Sequence, residues 1–239
     1  MIRVIDLSHT LIPGKQRFRL DLKSYPVKEY VPGYKVAEGE WYIMQEVNLC
    51  THVGTHVEAP YHAIENGITA GEVKLPNLIG PAAVVEFTDK GVNQPITREE
   101  LQHRGTHIQH SDIVLIRTDL STYYGTPRYK RPYLETNAVD WLVEQKIKCL
   151  GIDCSGIENK QINSKQVNHR KLFNNDILLI EDMNNLDKLQ DKRVFFMAFT
   201  LSIHGLDASP LRPIAIEPLE ACENIQNIFL GADTFLIDT

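Results

Sequence analysis

Thr51-His52-Val53-Gly54-Thr55-His56-Val57-Glu58-Ala59-Pro60-Tyr61-His62 carries three of the nine histidines in this chain, together with one carboxylate. Imidazole and carboxylate are the side chains that bind borderline metals and move protons near neutral pH. In a helix, His52 and His56 would share a face at the i, i+4 spacing of HExxH zinc enzymes. Gly54 and the β-branched Val53, Thr55 and Val57 oppose that reading. In extended chain, His52, Gly54, His56 and Glu58 point to one side and Val53, Thr55 and Val57 to the other, the pattern of a strand with one apolar face.

A straight strand cannot bring His52 and His56 to one ion. Four residues at roughly 3.3 Å each separate them by about 13 Å, whereas zinc–nitrogen bonds are about 2 Å. The chain must bend, and Gly54 is the residue that permits it by taking positive φ. Pro60 then ends ladder pairing and leads into a turn that presents His62. Any one of these histidines reads as a satisfied polar residue at a strand edge; the set H-x3-H-x-E-x3-H around a glycine reads as a metal site.

The 239 residues (27.2 kDa) suffice for a substantial core, and one domain spanning 1–239 is predicted. Hydrophobic residues at 43% and charged residues at 23% exclude a disordered or fibrous class. No apolar run approaches the roughly 18 residues of a membrane span. A net charge of −6 leaves no electrostatic footprint for nucleic acid. Met1–Leu7 reads directly as a strand with no signal-peptide core, which predicts a cytoplasmic protein. Cys50, Cys149, Cys154 and Cys222 lack C-x-x-C spacing and read as free thiols, of which Cys154 alone lies close to other polar candidates.

Along the chain, 2–7 reads as a first strand, and Ser8-His9-Thr10 as a polar exit that caps a turn. Residues 13–39, rich in Lys, Arg, Pro and Tyr, read as a long loop or arm. Residues 41–49 alternate and lead into the histidine stretch; 82–87 and 113–118 read as buried strands. Thr97-Arg98-Glu99-Glu100 is a capping-box start for a helix. His103, His107 and His110 read as solvated, as does the basic run Arg128, Lys130 and Arg131. A helix over 138–147 followed by a strand over 149–152 makes a βαβ-like unit ending in Asp153-Cys154-Ser155. A short helix over 167–173 carries His169, and the strand 177–180 ends in Glu181-Asp182. Further strands are predicted over 194–199, 213–216 and 234–237, with weak helical character over 217–224.

These pieces together resemble the cyclase-like metal-dependent hydrolase family, which includes bacterial kynurenine formamidase and isatin hydrolase. The resemblance spans nearly the whole chain. It rests on Asp6-Leu7-Ser8-His9, the stretch His52 to His62, Leu115-Ile116-Arg117-Thr118, Gly151-Ile152-Asp153, His169 followed by Glu181, and Ala208-Ser209-Pro210-Leu211-Arg212-Pro213-Ile214-Ala215. It implies an α/β fold of the swivelling β/β/α type with a mixed sheet, assembled as a homodimer or homotetramer. It also implies metal ligands at His52, His56, Glu58, His169 and Glu181, and a catalytic histidine at His62.

Two departures stand out. The family's motif acid is usually aspartate, where this chain has Glu58. The arm offers Pro13-Gly14 and a basic stretch in place of the tryptophan-proline-glycine segment that lines the aromatic pocket of kynurenine formamidases.

The chemistry so implied is hydrolysis of a small amide or cyclic amide, as in arylformamidases of tryptophan catabolism, with one or two divalent ions activating water and His62 shuttling the proton. An N/O ligand set without thiolates suits zinc, with manganese where carboxylates weigh more. The alternatives are a cyclase or lyase acting on a polyketide-like carbonyl compound, where the metal would stabilise an enolate, and a binder that keeps the metal without turnover.

Overall fold

A computed structural model of the chain describes residues 1–126, 130–159, 161 and 165–222. In chain order the elements are β1 (Arg3–Asp6), β2 (Leu20–Pro26), α1 (Val27–Tyr30), β3 (Ile43–Leu49), β4 (His56–Glu58), β5 (Ile79–Glu86), β6 (Pro95–Ile96), α2 (Arg98–Arg104) and β7 (Ile113–Arg117). They continue with β8 (Tyr133–Leu134), α3 (Thr136–Glu144), β9 (Cys149–Ile152), α4 (Val167–Phe173), β10 (Leu178–Glu181), β11 (Arg193–Met197), β12 (Ala208–Pro210) and β13 (Ile214–Glu217).

Nine strands form one mixed sheet in the order β1-β13-β11-β5-β7-β9-β10-β4-β12. The central β5, β7, β9 and β10 run parallel, as the βαβ pattern around α3 predicts, and antiparallel strands flank them on both sides. Continuous apolar runs build this centre because both faces are covered. In β7, Val114 and Ile116 enter a core shared with Leu101 of α2, Leu142 of α3 and Leu172 of α4. Ile113 and Leu115 enter a second core on the opposite face with Leu7, Val57, Leu78, Ile180 and Phe196. Helix α2 starts as its sequence predicts: Thr97 Oγ1 accepts the Glu100 amide, and a Glu100 carboxylate oxygen accepts the Thr97 amide.

The arm departs from the loop reading. Its residues 20–26 form β2, which pairs in register with β3 as a separate two-stranded ribbon. The pairs Leu20–Leu49 and Leu22–Val47 share one face, and Asp21–Asn48 and Lys23–Glu46 share the other. Cross-strand pairing therefore orders a segment whose Pro and Lys content reads as loop, and it takes residues 43–49 out of the main sheet. Arg131 is likewise buried rather than solvated, donating to the carbonyls of Pro132 and Glu158.

Lys130 is exposed, and Arg128 lies outside the described residues. Of the three outlying histidines, His103 and His110 are exposed, whereas His107 Nε2 bonds the Val84 carbonyl at 2.8 Å. The strand predicted over 234–237 lies outside the described residues, and Leu219–Cys222 is a single 3-10 turn. Among the described residues, no helix is long and apolar enough to cross a membrane.

Candidate metal centre

The stretch 51–62 bends as its spacing demands. Residues 51–55 are a turn and only 56–58 are strand, so the extended reading from 52 is corrected to a tight reversal at Gly54, whose φ is +67°. The reversal folds His52 back over β4 and brings its Nδ1 within 3.0 Å of His56 Nε2. β4 then lies between β10 and β12, with His56 directly opposite Glu181 on one side and Pro210 on the other. Strand alternation keeps Glu58 on the face of His56. A 3-10 turn, Pro60–His62, returns His62 toward the same cavity. From the other side α4 supplies His169 in its first turn.

The six residues singled out from sequence, His52, His56, Glu58, His62, His169 and Glu181, all line one cavity of about 370 Å³. A larger polar groove of about 640 Å³ lies beside α2, but every cluster of metal-ligating side chains among the described residues is at the smaller cavity.

Two donor trios share Glu58. In the first, His52 Nδ1 lies 3.2 Å from Glu58 Oε1, His56 Nε2 lies 3.7 Å from it, and the two imidazole nitrogens are 3.0 Å apart. In the second, His169 Nε2 is 3.3 Å from Glu58 Oε2 and 3.6 Å from Glu181 Oε1. Tetrahedral bonds of about 2.0–2.1 Å place ligand atoms about 3.3 Å apart, so both trios fit a zinc-sized ion. Glu58 Oε2 and Glu181 Oε1 are buried without a well-directed hydrogen bond, at residues only 3% and 7% exposed. Buried acceptors left in this way suit a cation.

Each ligand histidine is held from behind, so that its other nitrogen faces the trio. His56 Nδ1 lies 2.7 Å from the Gly54 carbonyl, His169 Nδ1 2.9 Å from Glu158 Oε1, and His52 Nε2 2.9 Å from Asp207 Oδ2. Sequence reading missed Glu158 and Asp207. Glu158 also accepts the amides of Asn168 and His169, capping the first turn of α4 from outside the helix. Arg131, donating to its carbonyl, secures it in turn.

The electrostatics favour added positive charge. Burial opposes protonation of His52, yet hydrogen bonds and charge from Glu58 and Asp207 outweigh it and raise the pKa to about 9. Burial likewise opposes a charged His169, and Glu158, Glu181 and Glu58 together push it up to about 12. Glu58 is pulled well below the usual carboxylate range: its burial is overcome by His169, His52 and His56. The field that stabilises protons on these imidazoles is the field a divalent cation would meet. Cys154, by contrast, is buried with its thiol pushed up by desolvation and faces the Gly156 carbonyl.

The chain is similar to known proteins over most of its length. The family model described as Putative cyclase matches residues 5–159. A kynurenine formamidase of Erythrobacter litoralis (strain HTCC2594) is 27% identical over 215 residues, covering 90% of this chain and 94% of that protein. A solved structure described as a potential metal-dependent hydrolase with cyclase activity superposes with a TM-score of 0.72 at 25% identity, covering 91% of this chain and 99% of the other. An isatin hydrolase bound to the product analogue thioisatinate shares the fold, with a TM-score of 0.76 at 22% identity over 91% of this chain and 93% of its own. With the matched span covering well over half of its length, the chain belongs to the putative cyclase family and has metal-dependent hydrolases among its relatives.

Proposed function

We propose that the chain is a metal-dependent hydrolase of a carbon–nitrogen bond in a small amide or cyclic amide, arylformamidase-like in its chemistry. One observation carries this reading: two donor trios share the two oxygens of Glu58, and His62 Nε2 lies 3.8 Å from Glu58 Oε1 in the same cavity. His52, His56 and Glu58 would hold one ion, and His169 and Glu181 would complete a second around the other Glu58 oxygen. The N/O donor set suits zinc, with manganese as the other candidate. A divalent ion held there supplies Lewis acidity that polarises a carbonyl and makes water acidic enough to attack near neutral pH.

The chain's own residues do the remaining work. Glu58 stays ionised through its imidazole neighbours. His62, with Nδ1 turned to Asp207, leaves Nε2 facing the cavity to accept a proton from water and deliver it to the leaving nitrogen. Arg17 and Phe18 line the mouth, the guanidinium carbon 5.1 Å from the Phe18 ring centre, and supply an aromatic face beside a cation. That pairing suits an aryl amide bearing negative charge.

The test is metal analysis of freshly purified protein followed by a screen of aryl formamides, lactams and lactones. Bound divalent metal with turnover of a formamide or lactam is the expected result. Tight metal with no turnover of any amide overturns the hydrolase reading, and turnover of lactones alone moves the substrate class to esters.

A further inference from the structure

Asp207 stands just before β12, and pairing with β4 anchors it there: Ala208 lies opposite Glu58, and the Ala59 amide donates to the Asp207 carbonyl at 2.9 Å. Its carboxylate reaches the rim of the cavity. Oδ1 accepts the Thr51 hydroxyl at 2.8 Å. Oδ2 lies 2.9 Å from His52 Nε2 and 3.1 Å from His62 Nδ1.

An ionised carboxylate only accepts hydrogen bonds, so each imidazole nitrogen facing Oδ2 is an N–H. This assigns both rings at once. With a divalent ion in the site, which displaces the proton that Glu58 otherwise holds on His52, the His52 Nδ1 lone pair would face the trio with His56 and Glu58, and His62 would turn Nε2 toward Glu58. The Gly54 carbonyl and Glu158 each orient one histidine; Asp207 orients two of different roles through a single oxygen. That shared oxygen also sets their spacing, with ring centres 4.5 Å apart.

Building on the hydrolase reading above, we propose that Asp207 is a positioning residue shared by metal binding and proton transfer, fixing the tautomers of His52 and His62 together. An imidazole released from this contact favours the Nε2–H form, which takes the His62 lone pair away from the cavity. Loss of Asp207 therefore acts on both functions without removing a ligand or the proton carrier.

Histidine ¹⁵N NMR of the zinc-loaded protein reports the ring nitrogens independently of activity. Wild type should show His62 protonated at Nδ1. In Asp207→Ala, His62 should revert to the Nε2–H form and zinc affinity should fall about 10- to 100-fold. Turnover of an aryl formamide should fall through kcat with little change in KM. Asp207→Asn, whose amide oxygen can still accept from both rings, should keep the wild-type tautomer and recover most of the zinc affinity. Asp207→Ser, polar but too short to reach either ring, supplies the same comparison if Asp207→Ala does not fold.

A wild-type His62 tautomer in Asp207→Ala or Asp207→Ser overturns the proposal, as does unchanged zinc affinity. The predicted tautomers in a protein that hydrolyses no amide would fail the hydrolase reading and support the positioning role.

Discussion

The two halves of the cavity are built differently. His52, His56, Glu58 and His62 come from one turn, one short strand and one 3-10 turn, and a single reversal at Gly54 aims them. Glu158, His169, Glu181 and Asp207 come from a loop, a helix, a sheet strand and a strand entrance, and Asp207 meets His52 across 155 residues. The first half is a property of local backbone geometry. The second exists only because sheet order places β10 and β12 on either side of β4. Glu58 belongs to the first by sequence and to both by geometry.

The largest effect is therefore expected at the shared residue. Glu58→Gln should lose metal from both trios and lower activity by about 10³-fold or more, as loss of several kcal/mol of electrostatic stabilisation implies. Metal analysis and turnover of the same preparation check this, and loss of only one equivalent would show that the halves bind independently.

His62→Asn sharpens the comparison within the first half. Turnover should drop roughly 10²- to 10⁴-fold with metal content unchanged; loss of metal would make His62 a ligand.

Glu158→Gln probes the second half from behind. The amide can still receive the α4 amides but loses the charge facing His169, so metal affinity should fall about 10- to 100-fold at one site and leave the other intact. Titration with a competing chelator resolves the two, and equal weakening of both sites would erase the distinction between halves.

Gly54→Ala attacks the reversal itself. At φ +67° an alanine is strained, and its Cβ would sit 2.3 Å from a Leu11 methyl, so about 1–3 kcal/mol of stability should be lost. Denaturant unfolding measures it, and an unchanged midpoint would mean that the turn tolerates another conformation.

The smallest effect is a pH dependence. The folded-state pKa of His52, about 9, lies above the ordinary value of 6.5, so its protonation stabilises the chelator-treated protein fully below about pH 6.5. That contribution is lost as pH rises through about 9. The melting temperature of the chelator-treated protein should decline by a few degrees across this window. The metal-loaded protein should not follow, because ligation holds His52 unprotonated, and metal affinity should rise over the same range. Parallel pH profiles with and without metal would count against His52 as a ligand.

Much of this was legible because chemistry and geometry share one short segment. The glycine between His52 and His56 announces a bend, the buried run Ile113–Arg117 announces a central strand, and Thr97 with Glu100 announces a helix start. Glu158 and Asp207 went unread for a common reason. A carboxylate in a polar loop looks solvated until a partner is placed beside it, and the partners lie outside local helix or strand spacing, 11 residues away for Glu158 and 145 and 155 for Asp207. The ribbon of β2 and β3 hid similarly, since its apolar pairs Leu20–Leu49 and Leu22–Val47 form a pattern only once the two strands are set in register.

By itself, then, the sequence determined which residues have the chemistry for a metal and a proton, and that the chain bends at Gly54. These follow from side-chain type and from the steric freedom of one residue. Only the tertiary structure decided that Glu58 turns its two oxygens to different trios and that Glu158 stands behind His169. The same holds for Asp207, which reaches His52 and His62 at once. The Asp207 contacts, across 155 residues to His52 and 145 to His62, are set by sheet order and register, and the 11-residue step from Glu158 to His169 matches neither helix nor strand spacing.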